Sequence, residues 1–531
     1  GDSIASKPAL TWMCVWPASF HNLLRIALLY SSAVFIRLLP GSPMRLTRPA
    51  LLLLLLTCVL LFFALGNHQL QGSTESRVAG IAMQMHVSDD WITPNLLNQP
   101  FLEKPPLSLW LDAGAIRVFG AELFAVRLAS AFAGLFCVML LYAMLRKLGR
   151  PTALAWTAAA MLATMGIFWG NARQVGEDSL LTLGVTMTLL AFYHANRHPG
   201  LARGSWLLFA FGIAIATLSK GVLGLALPGV VIFVFLLSES LIDKRFVLRN
   251  WLRPALLTLV GLIPLMIWLC LLYQRGGMQA VSELLLTNSV GRFSGSFVEA
   301  GHYEPFYYYL RKLPEAFLPW NLLTYLGLWH FRKQLRANPF LLFFSVWLVA
   351  QFVLLNLASS KRAVYMMSMA PAAAVIAAEY ARVVLDWLYK KSAGSPVAKF
   401  LSDNHRPLAI ALLSILVGAY LLAAHRAPLA DKEESFQPLA ARVMSLQASG
   451  KQVALLRPDE RLGAVVFYSQ QLQHTLDSTA QLQAFLSASP EHVALVEKPE
   501  IPGMALQVLE EISVGRHHFY FVSQATPPPQ T

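Results

Sequence analysis

Apolar runs long enough to cross a hydrocarbon core recur along this chain, and they constrain its fold more than any motif does. The first, Ala50 to Leu65, is a run of leucines that follows the basic flank of Arg45 and Arg48. A helical span takes roughly 20 such residues, and a single soluble core has no use for so many of them. With 56% hydrophobic and only 13% charged residues, the chain lies well to the apolar side of soluble domains.

The basic residues give these runs a direction. They gather at Arg146-Lys147 with Arg150, at Arg197 and Arg203, at Lys244-Arg245, at Arg332-Lys333 with Arg336, and at Lys390-Lys391 with Lys399 and Arg406. Each cluster falls on the same side if the spans alternate, as the positive-inside rule requires. Counted from Met44, this predicts about eleven spanning helices. The net charge of +13 therefore follows from topology, and no basic helix or aromatic-rich sheet points to nucleic acid.

Residues 1–43 read as an upstream extension, because Met44-Arg45-Leu46-Thr47-Arg48 has the form of a native start. Their apolar stretch, Leu23 to Leu39, is broken by Arg25 and Arg37 and reads as an extra span or an interfacial helix. Residues 44–425 form the membrane domain. Residues 426–531 change character, with strand-like runs at Lys451–Leu456, Val465–Ser469, His492–Glu497 and His518–Ser523. A capping-box spacing at Ser478 and Gln481 opens a helix between them. The expected fold is thus mostly α and membrane-integral, with long extracytoplasmic loops and a small C-terminal α/β domain outside the membrane.

The cysteines Cys14, Cys58, Cys137 and Cys270 have no spacing suited to zinc or a disulfide framework. No fixed-period repeat appears, nor the matched halves with broken helices found in many transporters. Chemistry is expected in the two long outer loops. The first contains Thr74-Glu75-Ser76-Arg77, Asp89-Asp90-Trp91 and Glu103-Lys104-Pro105-Pro106, ahead of Arg127. Farther along come Arg173 to Asp178 opening a helix, Leu218-Ser219-Lys220-Gly221, Arg292-Phe293-Ser294-Gly295 with His302, Phe317-Leu318-Pro319-Trp320, and Ser360-Lys361 with Tyr365. Lys220 interrupts an apolar stretch, and an ionisable group at membrane depth is costly without a partner.

In that order, these motifs resemble the membrane-embedded C-type glycosyltransferases of the protein mannosyltransferase superfamily, most closely the bacterial lipid A aminoarabinose transferases. Glu103-Lys104-Pro105-Pro106 is the most specific element, and the resemblance covers about residues 44 to 380. It implies a carboxylate in the first loop and an Asp at the second outer loop. The latter maps onto Asp178, with Glu177 beside it. The first-loop pattern in the family is Asp-Glu-X-Arg. Thr74 stands at the Asp, which leaves Glu75 and Arg77.

The resemblance further implies that Arg77, Lys104 and Lys220 bind a carrier phosphate, that Tyr365 and Lys361 complete the pocket, and that Glu103 and His302 ligate a divalent metal, zinc or similar. Glu75 and Asp178 would be catalytic. The expected reaction moves a sugar, aminoarabinose or another pentose or hexose, from a polyprenyl (undecaprenyl) phosphate onto a lipid A or lipopolysaccharide-type acceptor. It would take place at the periplasmic face of a bacterial inner membrane, among membrane lipids. Protein O-mannosylation and a transporter or flippase of polyprenyl-linked sugars are the rival readings. Asp178 also suits a helix N-terminus, and His302 among Tyr303, Tyr307, Tyr308 and Tyr309 suits an interfacial aromatic belt.

Overall fold

The computed structural model describes residues 47–296, 303–429, 431–501 and 504–525. The N-terminal extension and His302 lie outside these. The rest is a multi-pass helical membrane protein. Six helices are long and apolar enough to span: Leu123–Lys147, Arg203–Ile242, Leu248–Gly291, Pro339–Leu357, Ala363–Lys391 and His405–Leu429. Arg48–Phe62 and Thr152–Ala163 are shorter apolar helices, and Asp178–Arg197 packs as a buried helix against Arg203–Ile242.

Local chemistry sets the ends of these helices. Pro49 and Pro339 occupy first-turn positions, where the missing N–H costs nothing. Asn338 caps its helix by accepting from the Phe340 and Leu341 N–H groups at 3.1 and 3.2 Å. The Arg203–Ile242 helix is broken inside, at Lys220 (φ −145°, ψ 24°) and Gly221 (φ 53°, ψ −126°). Only glycine takes that second conformation without strain, so the turn that carries Lys220 depends on Gly221.

Side chains facing outward are apolar over much of this surface. The most apolar stretch of His405–Leu429 is only 6% buried, and Phe233, Ile263, Met266, Ile410 and Ile415 are all more than half exposed. Such a surface is stable against lipid and not against water.

The first long polar segment is not a simple loop. It folds into the helices Gly72–Ser88 and Leu107–Phe119, joined through a two-stranded hairpin that pairs Asn95 with Pro100 and Leu96 with Gln99. The C-terminal segment forms a five-stranded sheet ordered His474–Leu476, Gln452–Leu456, His492–Val496, His517–Gln524, Leu506–Val514. The first three strands are parallel and the last two antiparallel.

Three of the four expected strand runs are present, and the capping box at Ser478 forms, with the Gln481 N–H donating to the Ser478 hydroxyl at 3.2 Å. The run Val465–Ser469 is instead the end of a helix, Gly463–Ser469. Its Gly463 backbone abuts Gly80, where a Cβ would meet the Gly463 carbonyl oxygen at 2.5 Å. Val78, Ile81 and Met85 share one core with Leu439, Val466 and Phe519. The sheet is therefore built onto the first long polar segment.

Candidate active site

Three elements bring the charged residues together: the Gly72–Ser88 helix, the Glu103-Lys104-Pro105-Pro106 turn, and the junction of Asp178–Arg197 with the break at Lys220. Arg77 Nη1 lies 2.7 Å from Glu460 and 3.2 Å from Glu103. Lys104 Nζ lies 3.6 Å from Glu103 and 2.5 Å from Glu177. Lys220 Nζ lies 3.2 Å from Glu177 and contacts Asp178 directly. Its ammonium also sits over the Tyr365 ring, 4.4 Å from the centroid. Glu460, Arg77, Glu103, Lys104, Glu177, Lys220 and Asp178 thus form one chain of alternating charge.

Most of this chain is dry. Arg77, Glu177 and Lys220 are buried. Burial pushes the Glu177 carboxyl up, but Lys104, Lys220 and Arg77 outweigh it and hold the group well below the usual carboxylate range. Both ammoniums meet the same oxygen, Glu177 Oε1. Arg77 Nη2 is buried with no hydrogen-bond partner among the described residues. A buried donor left over at the meeting point of three cations is suited to an anion.

Glu75 is placed differently. Its carboxylate takes Arg127 in a fork, Nε to Oε1 at 3.0 Å and Nη2 to Oε2 at 2.9 Å, and accepts the Val175 N–H at 3.0 Å. Arg127 Nη1 goes to the Leu65 and His68 carbonyls at 3.2 and 2.9 Å. Burial pushes the Glu75 carboxyl up, yet the Arg127 charge and these hydrogen bonds hold it below its ordinary value. Thr74, at the position of the family's Asp, accepts from Arg362 Nη2 at 3.0 Å.

Asp178 lies in the first turn of its helix, and no side chain caps that helix. Lys361 stands apart from the network. It donates to the Glu304 carbonyl at 3.2 Å and to the Ala358 carbonyl, beside a cavity of about 440 Å³.

The expected metal ligands are Glu103 and His302. Glu103 faces Arg77 and Lys104, and among the described residues no three His, Cys, Asp or Glu gather as ligands. His302 falls outside them. The motifs alone did not single out Arg127, Glu177, Glu460 or Asp112. A lone ionisable residue inside an apolar helix marks Arg127 and Asp112. Nothing local marks Glu460, which comes from the C-terminal segment.

Comparisons with known proteins agree with this architecture. The family model PMT, "Dolichyl-phosphate-mannose-protein mannosyltransferase", matches residues 45–274. An undecaprenyl phosphate-alpha-4-amino-4-deoxy-L-arabinose arabinosyl transferase of Pseudomonas aeruginosa is 29% identical over 330 residues, 59% of this chain and 57% of that protein. A second such transferase, of Proteus mirabilis, is 27% identical over 333 residues, covering 62% of this chain and 59% of its own length. The matched stretch thus spans less than two thirds of these relatives. The crystal structure of ArnT from Cupriavidus metallidurans bound to undecaprenyl phosphate shares the fold, with a TM-score of 0.69 at 19% identity, covering 90% of this chain and 99% of that one. In sequence the chain is thus similar over part of its length to the protein mannosyltransferase family model and to aminoarabinose transferases, and in fold it is similar to ArnT.

Proposed function

We propose that this protein transfers a sugar, aminoarabinose or another pentose or hexose, from undecaprenyl phosphate or a similar polyprenyl carrier to a lipid A-type acceptor. The observation that carries this reading is the convergence of Arg77, Lys104 and Lys220, with the spare Arg77 Nη2, in a buried site. The relatives named above supply the donor class, and the acceptor class follows from the resemblance of the motifs.

In this reaction an acceptor oxygen attacks the anomeric carbon while the bond from that carbon to the phosphate oxygen breaks. The bonding pair stays on the leaving phosphate, which gains one negative charge. Fixed cations in a dry site stabilise that charge strongly. Arg77, Lys104 and Lys220 receive it, and each exchanges a carboxylate partner for a phosphate oxygen. Tyr365 holds the Lys220 ammonium from the other side. Asp178 orients the acceptor, and takes its proton where the acceptor is a hydroxyl; a phosphate acceptor is already a nucleophile. Glu75 acts by fixing Arg127 and the helix that carries Arg77. Lys361 borders the entrance, and no step runs through a metal.

The same reading puts about eleven helices across a bacterial inner membrane. The site and the C-terminal α/β domain, 426–531, lie on the periplasmic side, beyond a membrane domain at 44–425.

The test is transfer of labelled sugar from undecaprenyl-phosphate donors to lipid A by the purified protein in bilayers. Lys220→Met is expected to lower transfer about 10²- to 10³-fold. Unchanged transfer in this variant overturns the site. Label found in protein supports the O-mannosyltransferase reading, and donor moved across the bilayer with its sugar-phosphate bond intact supports a transporter.

A further inference from the structure

A cavity of about 350 Å³ lies between the first long polar segment and the C-terminal sheet, and the reaction above does not use it. One wall is the hairpin, through Leu97, Gln99 and Phe101. The other is the carboxyl end of the parallel strands Gln452–Leu456 and His474–Leu476, through Arg457, Glu460, Thr475 and Asp477. Crevices outside the carboxyl ends of the strands are where open α/β sheets take ligands, and the volume falls in the lower part of the small-molecule range, roughly 300–1,000 Å³. Both walls carry strained backbone. Leu97 has φ 52° and Arg457 φ 41°, a left-handed conformation that side chains of this size keep only where the surroundings impose it.

The lining selects the occupant. Asp477 is tied down through its backbone, by its N–H to the Gln481 side chain at 2.6 Å and by its carbonyl to Arg457 Nε at 3.1 Å. Its carboxylate, the Gln99 amide and the Thr475 hydroxyl make no hydrogen bond among the described residues, which leaves their donors and acceptors for a ligand. Glu460 and Asp477 turn away an anion, and so many polar groups turn away a prenyl tail. A ring bearing several hydroxyls matches both the polar groups and the flat Phe101 face. The cavity also adjoins the cations. Glu460 on its wall meets Arg77 at 2.7 Å, and the Arg77 guanidinium sits over the Phe101 ring, 5.5 Å from the centroid.

Resting on the proposed donor site, we propose that this cavity holds a hydroxylated sugar ring of one of the two substrates, with Asp477, Thr475 and Gln99 taking its hydroxyls. The ring is bound one side chain away from the phosphate on Arg77, so it is held before and during transfer alike. Losing it raises a KM and leaves kcat standing.

The test is transfer from labelled undecaprenyl-phosphate aminoarabinose to lipid A by the full chain in lipid nanodiscs, with each substrate varied in turn. Asp477→Ala removes an exposed carboxylate and should keep the melting temperature of the parent. It is expected to raise the KM of one substrate about 5- to 10-fold, with kcat within about twofold. Thr475→Trp fills the cavity and should raise the same KM about 10-fold or more. The Kd for undecaprenyl phosphate, which has no sugar, should stay within about twofold of the parent in both variants. A rise for lipid A alone places the acceptor's sugar in the cavity, and a rise for the donor alone places the transferred one there.

Both KM values unchanged in Asp477→Ala and Thr475→Trp overturn the inference while leaving the donor site standing. So does a fall in kcat with both KM values held, or a Kd for undecaprenyl phosphate that rises as much as the KM. No binding of undecaprenyl phosphate by the parent chain overturns the donor site itself, and the inference with it.

Discussion

Glu75 and Arg77 lie two residues apart on one helix, both charged and both buried, yet they end in different situations. Glu75 is closed off: one guanidinium and a backbone N–H use its oxygens, and Arg127 spends its remaining donors on the Leu65, His68 and Gln69 carbonyls. Arg77 stays open, with one nitrogen lacking a hydrogen-bond partner among the described residues and the other shared between carboxylates from two distant parts of the chain. Burial alone therefore does not mark a functional charge. Burial with unused hydrogen-bonding capacity does, because only such a group can receive a ligand without first giving up a structural bond.

This contrast breaks most visibly at Arg127. Arg127→Met leaves Glu75 as an uncompensated buried carboxylate, expected to cost about 3–5 kcal/mol of stability, while Glu75→Leu made together with it should recover most of the loss. Thermal unfolding in detergent measures both, and a single variant that melts with the parent would show the pair to be ornamental. The pH dependence has a definite sign. The folded Glu75 carboxyl lies below its unfolded value, so its contribution is present above the ordinary carboxylate range and is lost as pH falls through the folded value.

Arg77 should fail in the opposite currency. Arg77→Lys keeps the charge and loses the second nitrogen, with transfer expected to fall about 10- to 100-fold while unfolding stays close to that of the parent. Loss of stability with unchanged transfer would place Arg77 beside Glu75. The smallest effect belongs to Glu460, which is about a third exposed and competes with the ligand for Arg77. Glu460→Gln should change stability by less than about 1 kcal/mol and lower the KM for the donor a few-fold. A raised KM would mean that Glu460 positions Arg77 rather than competing for it.

The open member of the pair was legible in the sequence. Arg77, Lys104 and Lys220 stand in motifs that resemble a known family, and Lys220 is conspicuous within an apolar run. The closed member was half legible. Glu75 could be seen, but its partner Arg127 lies far along the chain, and only the fold brings them together. Glu177 was visible merely as the neighbour of Asp178, since whether it or Asp178 meets Lys104 depends on how the helix begins.

The membrane helices were readable because a hydrocarbon solvent leaves long apolar runs no other use. Val465–Ser469 was not, because a short apolar run suits a buried helix or a strand equally well. Gly463 at its start suits it to a close approach on Gly80 that no local pattern announces.

That approach has a consequence for the order in which the protein is made. The helix bearing Glu75 and Arg77 is synthesised early and packs on Leu107–Phe119, but part of its cover comes from the last part of the chain, and Glu460 with it. Until the ribosome has delivered Gly463–Ser469, that helix lacks the neighbour that meets Gly80. A nascent chain can thus have its spans in the membrane while the proposed site helix is still only partly covered.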